Sequence, residues 1–169
     1  SHLLLGGIYG NSGRHEDAIR EFQRVVEIDE SNFEGWNNLG VAYRHQGALD
    51  QARDAVSRAR ELEPDSADVH YNLGNVLKDA DDLSGAEAEY REAVRLEPGL
   101  VLAYNNLGTL YERRGEYSKA AATFTQGLKA DQNHPTLRYN LGITLQADGK
   151  LWEAAREFEA ALRARPGWI

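Results

Sequence analysis

No cysteine occurs anywhere in the sequence. That absence removes disulfides, thiolate nucleophiles and zinc–sulfur centres together, and it leaves the redox compartment open. Proline is sparse, with four residues, and no apolar run approaches the length that spans a bilayer. No charged segment followed by an apolar one opens the chain, so no secretory signal is read and a cytoplasmic location is expected. Basic residues are outnumbered: 19 Lys and Arg face 27 Asp and Glu, for a net charge of −8. A surface of that sign repels phosphate backbones and anionic membranes, which argues against nucleic-acid partners. What remains is 41% apolar and 27% charged residues, a balance without any mark of disorder and sufficient for a packed core.

The dominant positive feature is a repeat. Leu39-Gly40 recurs at steps of 34 residues as Leu73-Gly74, Leu107-Gly108 and Leu141-Gly142, and one step back as Leu5-Gly6. Three residues after each glycine stand Tyr9, Tyr43, Leu77, Tyr111 and Leu145. Twelve after it stand Ala18, Ala52, Ala86, Ala120 and Ala154, followed four later by Phe22, Val56, Tyr90, Phe124 and Phe158. A glycine inside a helix costs about 1 kcal/mol relative to alanine. One at the same phase of every repeat therefore implies a packing reason. The invariant alanine suggests it: Gly and Ala are expected to face each other where two antiparallel helices approach closely. Gly13, Gly47, Gly115 and Gly149 mark turns that need positive φ, with Asp81 in that role in the third repeat. Pro64, Pro98 and Pro166 close second helices.

These residues resemble the tetratricopeptide repeat family, whose pattern runs Trp-x2-Leu-Gly-x2-Tyr, then Ala, Phe, Ala and Pro. The second repeat carries it most fully, as Trp36, Leu39, Gly40, Tyr43, Ala52, Ala59 and Pro64. His70, Tyr104 and Arg138 replace the tryptophan elsewhere, and Gly127 takes the place of a small alanine. The resemblance implies an all-α fold: a right-handed α-solenoid of five 34-residue helix-turn-helix hairpins forming a single array, with repeats at 1–32, 33–66, 67–100, 101–134 and 135–168. The first repeat enters partway through a helix, and Trp168-Ile169 stand where another would begin. A segment of a longer array is expected, or ends that pair with a second copy.

Within a repeat numbered so that Leu-Gly is seven and eight, positions 2, 5, 6, 9, 12 and 13 fall in an arc of roughly 120°. They are mostly polar, and in tetratricopeptide arrays this face lines the concave groove. Position six reads Asn38, Asn72, Asn106 and Asn140. Asparagine is a mediocre helix former, while its amide donates and accepts together and so suits a peptide unit. One per repeat would touch an extended peptide at about every third residue. The column is similar to the asparagine ladder in the superhelix of O-linked N-acetylglucosamine transferases, which implies sequence-tolerant reading of a peptide backbone. The other reading is architectural: each Asn bridges to a neighbouring helix and sets the pitch.

Asn37, Tyr71, Asn105 and Tyr139 at position five, and Asn75 at position nine, are further candidates for peptide contact. Arg44, Lys78 and Arg113 suggest a basic stripe for an acidic peptide, set against a solvated mixed face shared with Glu34, Asp68, Asp79 and Glu112. Chaperone-binding members of the family clamp a terminal carboxylate with Lys at position five and a basic residue at position two. Here neither occurs, so that specificity is not expected. The histidines lie in unrelated phases without an i, i+4 pair. The run Asp79-Ala80-Asp81-Asp82 lacks the oxygen ligand and glycine of a calcium loop. The expectation is thus a non-enzymatic scaffold without cofactor or metal, holding a protein or peptide ligand. Two alternatives stand beside it: a substrate-recruiting region of a larger glycosyltransferase, and a module that self-associates through uncapped ends.

Overall fold

The computed structural model describes residues 1–167; the Trp168-Ile169 pair expected to open a further helix lies outside them. The described residues form ten helices: α1 (His2–Asn11), α2 (His15–Ile28), α3 (Phe33–Gln46), α4 (Leu49–Leu62), α5 (Ala67–Asp79), α6 (Leu83–Leu96), α7 (Val101–Arg113), α8 (Tyr117–Ala130), α9 (Pro135–Ala147) and α10 (Leu151–Ala164). They fall into two compact units, residues 1–89 and the chain from Tyr90 onward, with α6 shared between them.

The helix ends follow from local chemistry. Asn32 Oδ1 accepts the Gly35 N–H at 2.7 Å and caps α3, Ser66 Oγ caps α5 through Val69 N–H, and His134 Nδ1 caps α9 through Leu137 N–H. Gly13, Gly47, Gly115 and Gly149 take φ between +71° and +81° in the turns, and Asp81 takes +63° at the corresponding place. Aspartate tolerates this region better than most side chains. Pro64 and Pro98 each follow a helix end by two residues.

In the first unit α1 packs on α2, α3 on α2 and α4, and α5 on α4, with α1, α3 and α5 also side by side. The core gathers Phe22, Val26, Leu39 and Ala55 with Tyr9, Trp36 and Tyr43 around it. In the second unit α7 packs on α8, α9 on α8 and α10, and α7 on α9. Tyr90, Phe124, Leu110 and Leu137 are fully buried there.

The expected Gly–Ala facing is corrected in one respect. A Cβ on Gly6, Gly108 or Gly142 would first meet the ring of Phe22, Phe124 or Phe158, at 2.6, 2.4 and 2.6 Å. The space left by the glycine is filled by the aromatic residue four places beyond the alanine. In the second repeat, where that residue is the shorter Val56, the Ala52 backbone oxygen lies 3.0 Å from the same point on Gly40. A ring reaches across at Gly6, Gly108 and Gly142, whereas at Gly40 the backbone of α4 itself closes the gap.

A second column explains why the family's tryptophan is replaceable. Trp36 Nε1 donates to Glu30 O at 3.0 Å, His70 Nε2 lies 2.8 Å from Pro64 O, and Arg138 Nε donates to Gln132 O at 2.9 Å. Three different side chains thus satisfy a carbonyl six residues back, at the turn that enters the helix. His70 and Arg138 also reach carboxylates, Glu89 and Glu157, each at 2.6 Å.

Candidate functional site

The polar face of the first helices is built separately in each unit. In the first, α3 presents Asn37 and Asn38, and α5 presents Tyr71 and Asn72, all half-buried, while Leu39 and Leu73 on the other side are buried. Asn72 Nδ2 donates to Asn37 Oδ1 at 3.0 Å. In the second, Asn140 Nδ2 donates to Asn105 Oδ1 at 2.8 Å. The same amide-to-amide bond therefore forms twice, from position six of one repeat to position five of the repeat before it. An asparagine amide has two donors and an acceptor. In both pairs the Oδ1 of the donating residue, Asn72 or Asn140, takes no further hydrogen bond among the described residues, and Asn37 keeps its Nδ2 hydrogens.

Asn106 is held differently. Its Nδ2 lies 3.5 Å from Tyr90 Oη, and its Oδ1 is 3.5 Å from Asn105 Nδ2, both at the outer limit of a hydrogen bond. Asn38 lines a cavity of about 180 Å³ with Gly6, Gly7, Gly10, Val41 and His45. His45 stacks on His15 with ring centroids 5.1 Å apart. Burial first, then the charge of Arg44 and the electrostatic influence of His15, holds the His45 imidazole below its ordinary range. Asn75 is only 4% exposed, so it is less accessible than the half-buried Tyr71 and Asn72 on α5. Tyr139 tilts against Phe158 at 5.7 Å.

The cations of the expected stripe are engaged within the fold. Arg44 Nε donates to Asp79 Oδ2 at 2.7 Å, and Lys78 Nζ stands 3.8 Å from Asp79 Oδ1. Arg113 also has a partner within the chain. The acidic run is likewise used by the fold: Asp79 binds Arg44, Asp81 makes the turn, and Asp82 Oδ1 accepts the Gly85 N–H at 2.9 Å at the start of α6. Among the described residues no group of three or more His, Asp or Glu side chains is arranged to hold a metal, and no helix is long and apolar enough to cross a membrane.

The pairing of asparagines was not visible in position six alone. The signal lies in position five, which alternates Asn37, Tyr71, Asn105, Tyr139. An amide pair needs asparagine at both positions in successive repeats, so pairs recur at 68 residues rather than 34, as Asn37–Asn72 and Asn105–Asn140.

Ten helices in 34-residue hairpins, with glycines against rings and polar amides on one helix face, define a helical repeat protein. The tetratricopeptide repeat family model matches residues 3–67, 49–101 and 105–167, and the chain belongs to that family. The crystal structure of MamA is similar at 25% identity, covering 95% of this chain and 94% of that one with a TM-score of 0.84. PilF of Pseudomonas aeruginosa superposes with a TM-score of 0.89 at 21% identity, over 96% of this chain and 74% of its own. YrrB, described as a tetratricopeptide repeat protein with an unusual peptide-binding site, matches with a TM-score of 0.76 at 20% identity, over 99% of this chain and 86% of its own. No curated protein is a significant match in sequence.

Proposed function

We propose that the chain is a protein-interaction scaffold that holds extended peptide segments through its paired asparagine amides. The carrying observation is the bond that recurs in both units, Asn72 to Asn37 and Asn140 to Asn105, with an unused acceptor left on Asn72 and Asn140. Such a pair fixes both amide planes and leaves groups complementary to a ligand N–H and C=O. Backbone recognition of this kind tolerates many side chains. That a similar fold, YrrB, is described as having a peptide-binding site supports the reading.

The test is a peptide selected on the wild-type protein and then measured by fluorescence anisotropy. At about 1 kcal/mol per net hydrogen bond, the variant that removes the acceptor of the occupied pair, Asn72→Ala or Asn140→Ala, should weaken binding about fivefold. Unchanged affinity with lowered thermal stability would show that the pairs serve architecture alone.

A second reading rests on exposed apolar side chains. Leu4 and Ile8 on α1 are 68% and 54% exposed, and Leu151 and Trp152 on α10 are 64% and 86% exposed. Exposed apolar groups so grouped favour self-association. Light scattering across a concentration series should then show mass growth that Trp152→Ser reduces. A constant monomer mass discards this reading.

A further inference from the structure

The most distinctive cavity outside the asparagine face lies in the first unit. Trp36, Leu39 and Tyr43 occupy the side of α3 roughly half a turn away from Asn37, Asn38 and Val41. They floor a cavity of about 560 Å³ whose walls come from α2 and α4. Its aromatic surfaces are fixed in place: Trp36 Nε1 is tied to Glu30 O, and Tyr43 Oη accepts from Gln23 Nε2 at 2.9 Å.

One repeat later the equivalent positions carry a charged cluster of the chain's own. The positions occupied here by Val26, Trp36 and Ala55 become Arg60, His70 and Glu89. There the Glu89 carboxylate takes Arg60 Nη1 and His70 Nδ1, both at 2.6 Å. Over Trp36 the guanidinium is missing because its position is Val26, and the carboxylate is missing because its position is Ala55. The cluster that meets at His70 therefore has no counterpart in this slot. Its rim carries Glu27, Asp54 and Arg58. Glu27 is paired with Arg24 and Arg58 with Glu61, each at 2.9 Å, while Asp54 is exposed and makes no ion pair or hydrogen bond through its carboxylate among the described residues.

We propose that this slot receives the arginine side chain of a partner protein, its guanidinium laid on the Trp36 indole and neutralised by Asp54. A planar guanidinium both stacks on an aromatic face and donates in a fork to a carboxylate, whereas an ammonium does neither as well. The net negative charge of −8 favours approach of a basic segment. This site is independent of the asparagine pairs, and each can fail without the other.

The experiment is a ¹H–¹⁵N titration of the whole chain with acetyl-Gly-Ser-Arg-Ser-Gly-amide and its Lys and Leu counterparts. The Trp36 indole resonance is assigned from the spectrum of Trp36→Phe. The arginine peptide should give saturable shifts at the Trp36 indole and the Ala55 amide, with the lysine peptide at least about threefold weaker and the leucine peptide without effect. Asp54→Asn removes an exposed charge without an internal contact and should weaken the arginine peptide by about threefold. Equal shifts from the leucine peptide, no saturable shift with arginine, or unchanged affinity in Asp54→Asn would each overturn the assignment.

Discussion

A Cβ placed on Gly40 would stand 2.3 Å from Val56 Cγ2, 3.0 Å from the Ala52 backbone oxygen and 3.1 Å from the Val56 backbone nitrogen. Two of those neighbours are backbone, so no side-chain rotation clears them. Placed on Gly47, a Cβ meets nothing within 4 Å, and the constraint there is a φ of +81°. The same substitution therefore fails for two reasons. Gly40→Ala should lose about 1–3 kcal/mol by overpacking, while Gly47→Ala should lose about 1 kcal/mol by left-handed strain. Urea titration measures both, and a Val56→Ala background separates them. Trimming Val56 should recover part of the Gly40→Ala loss and none of the Gly47→Ala loss; equal coupling to both would contradict this account. Phase alone told the two glycine classes apart in the sequence. It did not reveal what fills the space at the helical ones, because a ring four residues beyond the alanine reaches across only once the hairpin closes.

Helix against helix, the most informative contact in the second unit joins α7 to α9. Thr144 is fully buried, and its hydroxyl donates to Glu112 Oε1 while also lying 2.9 Å from Asn140 O. Burial raises the Glu112 carboxyl above its ordinary value, and the Thr144 bond opposes this without cancelling it. An acid whose folded pKa is raised holds its proton more firmly in the native state than in the unfolded chain. Its contribution is therefore most favourable below the unfolded value of 4.5 and is lost as pH rises through the folded value. Glu112→Gln keeps an acceptor for Thr144 and removes the charge. It should stabilise the protein at pH 7 and make little difference near the acid end, which thermal melts at a series of pH values would show. A gain that is the same at every pH would mean the charge is not the cause. Nothing in the sequence announced this contact. Ala42, Val76 and Leu110 precede Thr144 in its column, so the repeat marks it as core and is silent about a hydroxyl whose partner lies 32 residues back. Helix ends were legible for the opposite reason: caps, turn glycines and prolines act within a few residues of themselves.

Across the molecule, each of the two compact units holds its own buried core and its own amide pair, Asn37–Asn72 in one and Asn105–Asn140 in the other. The repeat pattern that produced the five hairpins also limits how far any disturbance carries. Stability in such arrays is approximately a sum over hairpins and the contacts between neighbours in sequence, with no long-range strand pairing to enforce a single transition. Gly40→Ala strains the contact between α3 and α4, which lie in the first unit. Native-state hydrogen exchange read by mass spectrometry should then show protection falling most in α3 and α4 and least in α9 and α10. The loss in α3 and α4 should approach the full 1–3 kcal/mol expected of overpacking, or roughly 5- to 150-fold in exchange rate. A fall of equal size in every helix would mean that the chain unfolds as one cooperative body. In that case a peptide bound at one amide pair would stabilise all ten helices alike. With local coupling, protection gained on binding stays with the unit whose amides hold the peptide, so exchange measured with and without ligand also reports which pair is occupied.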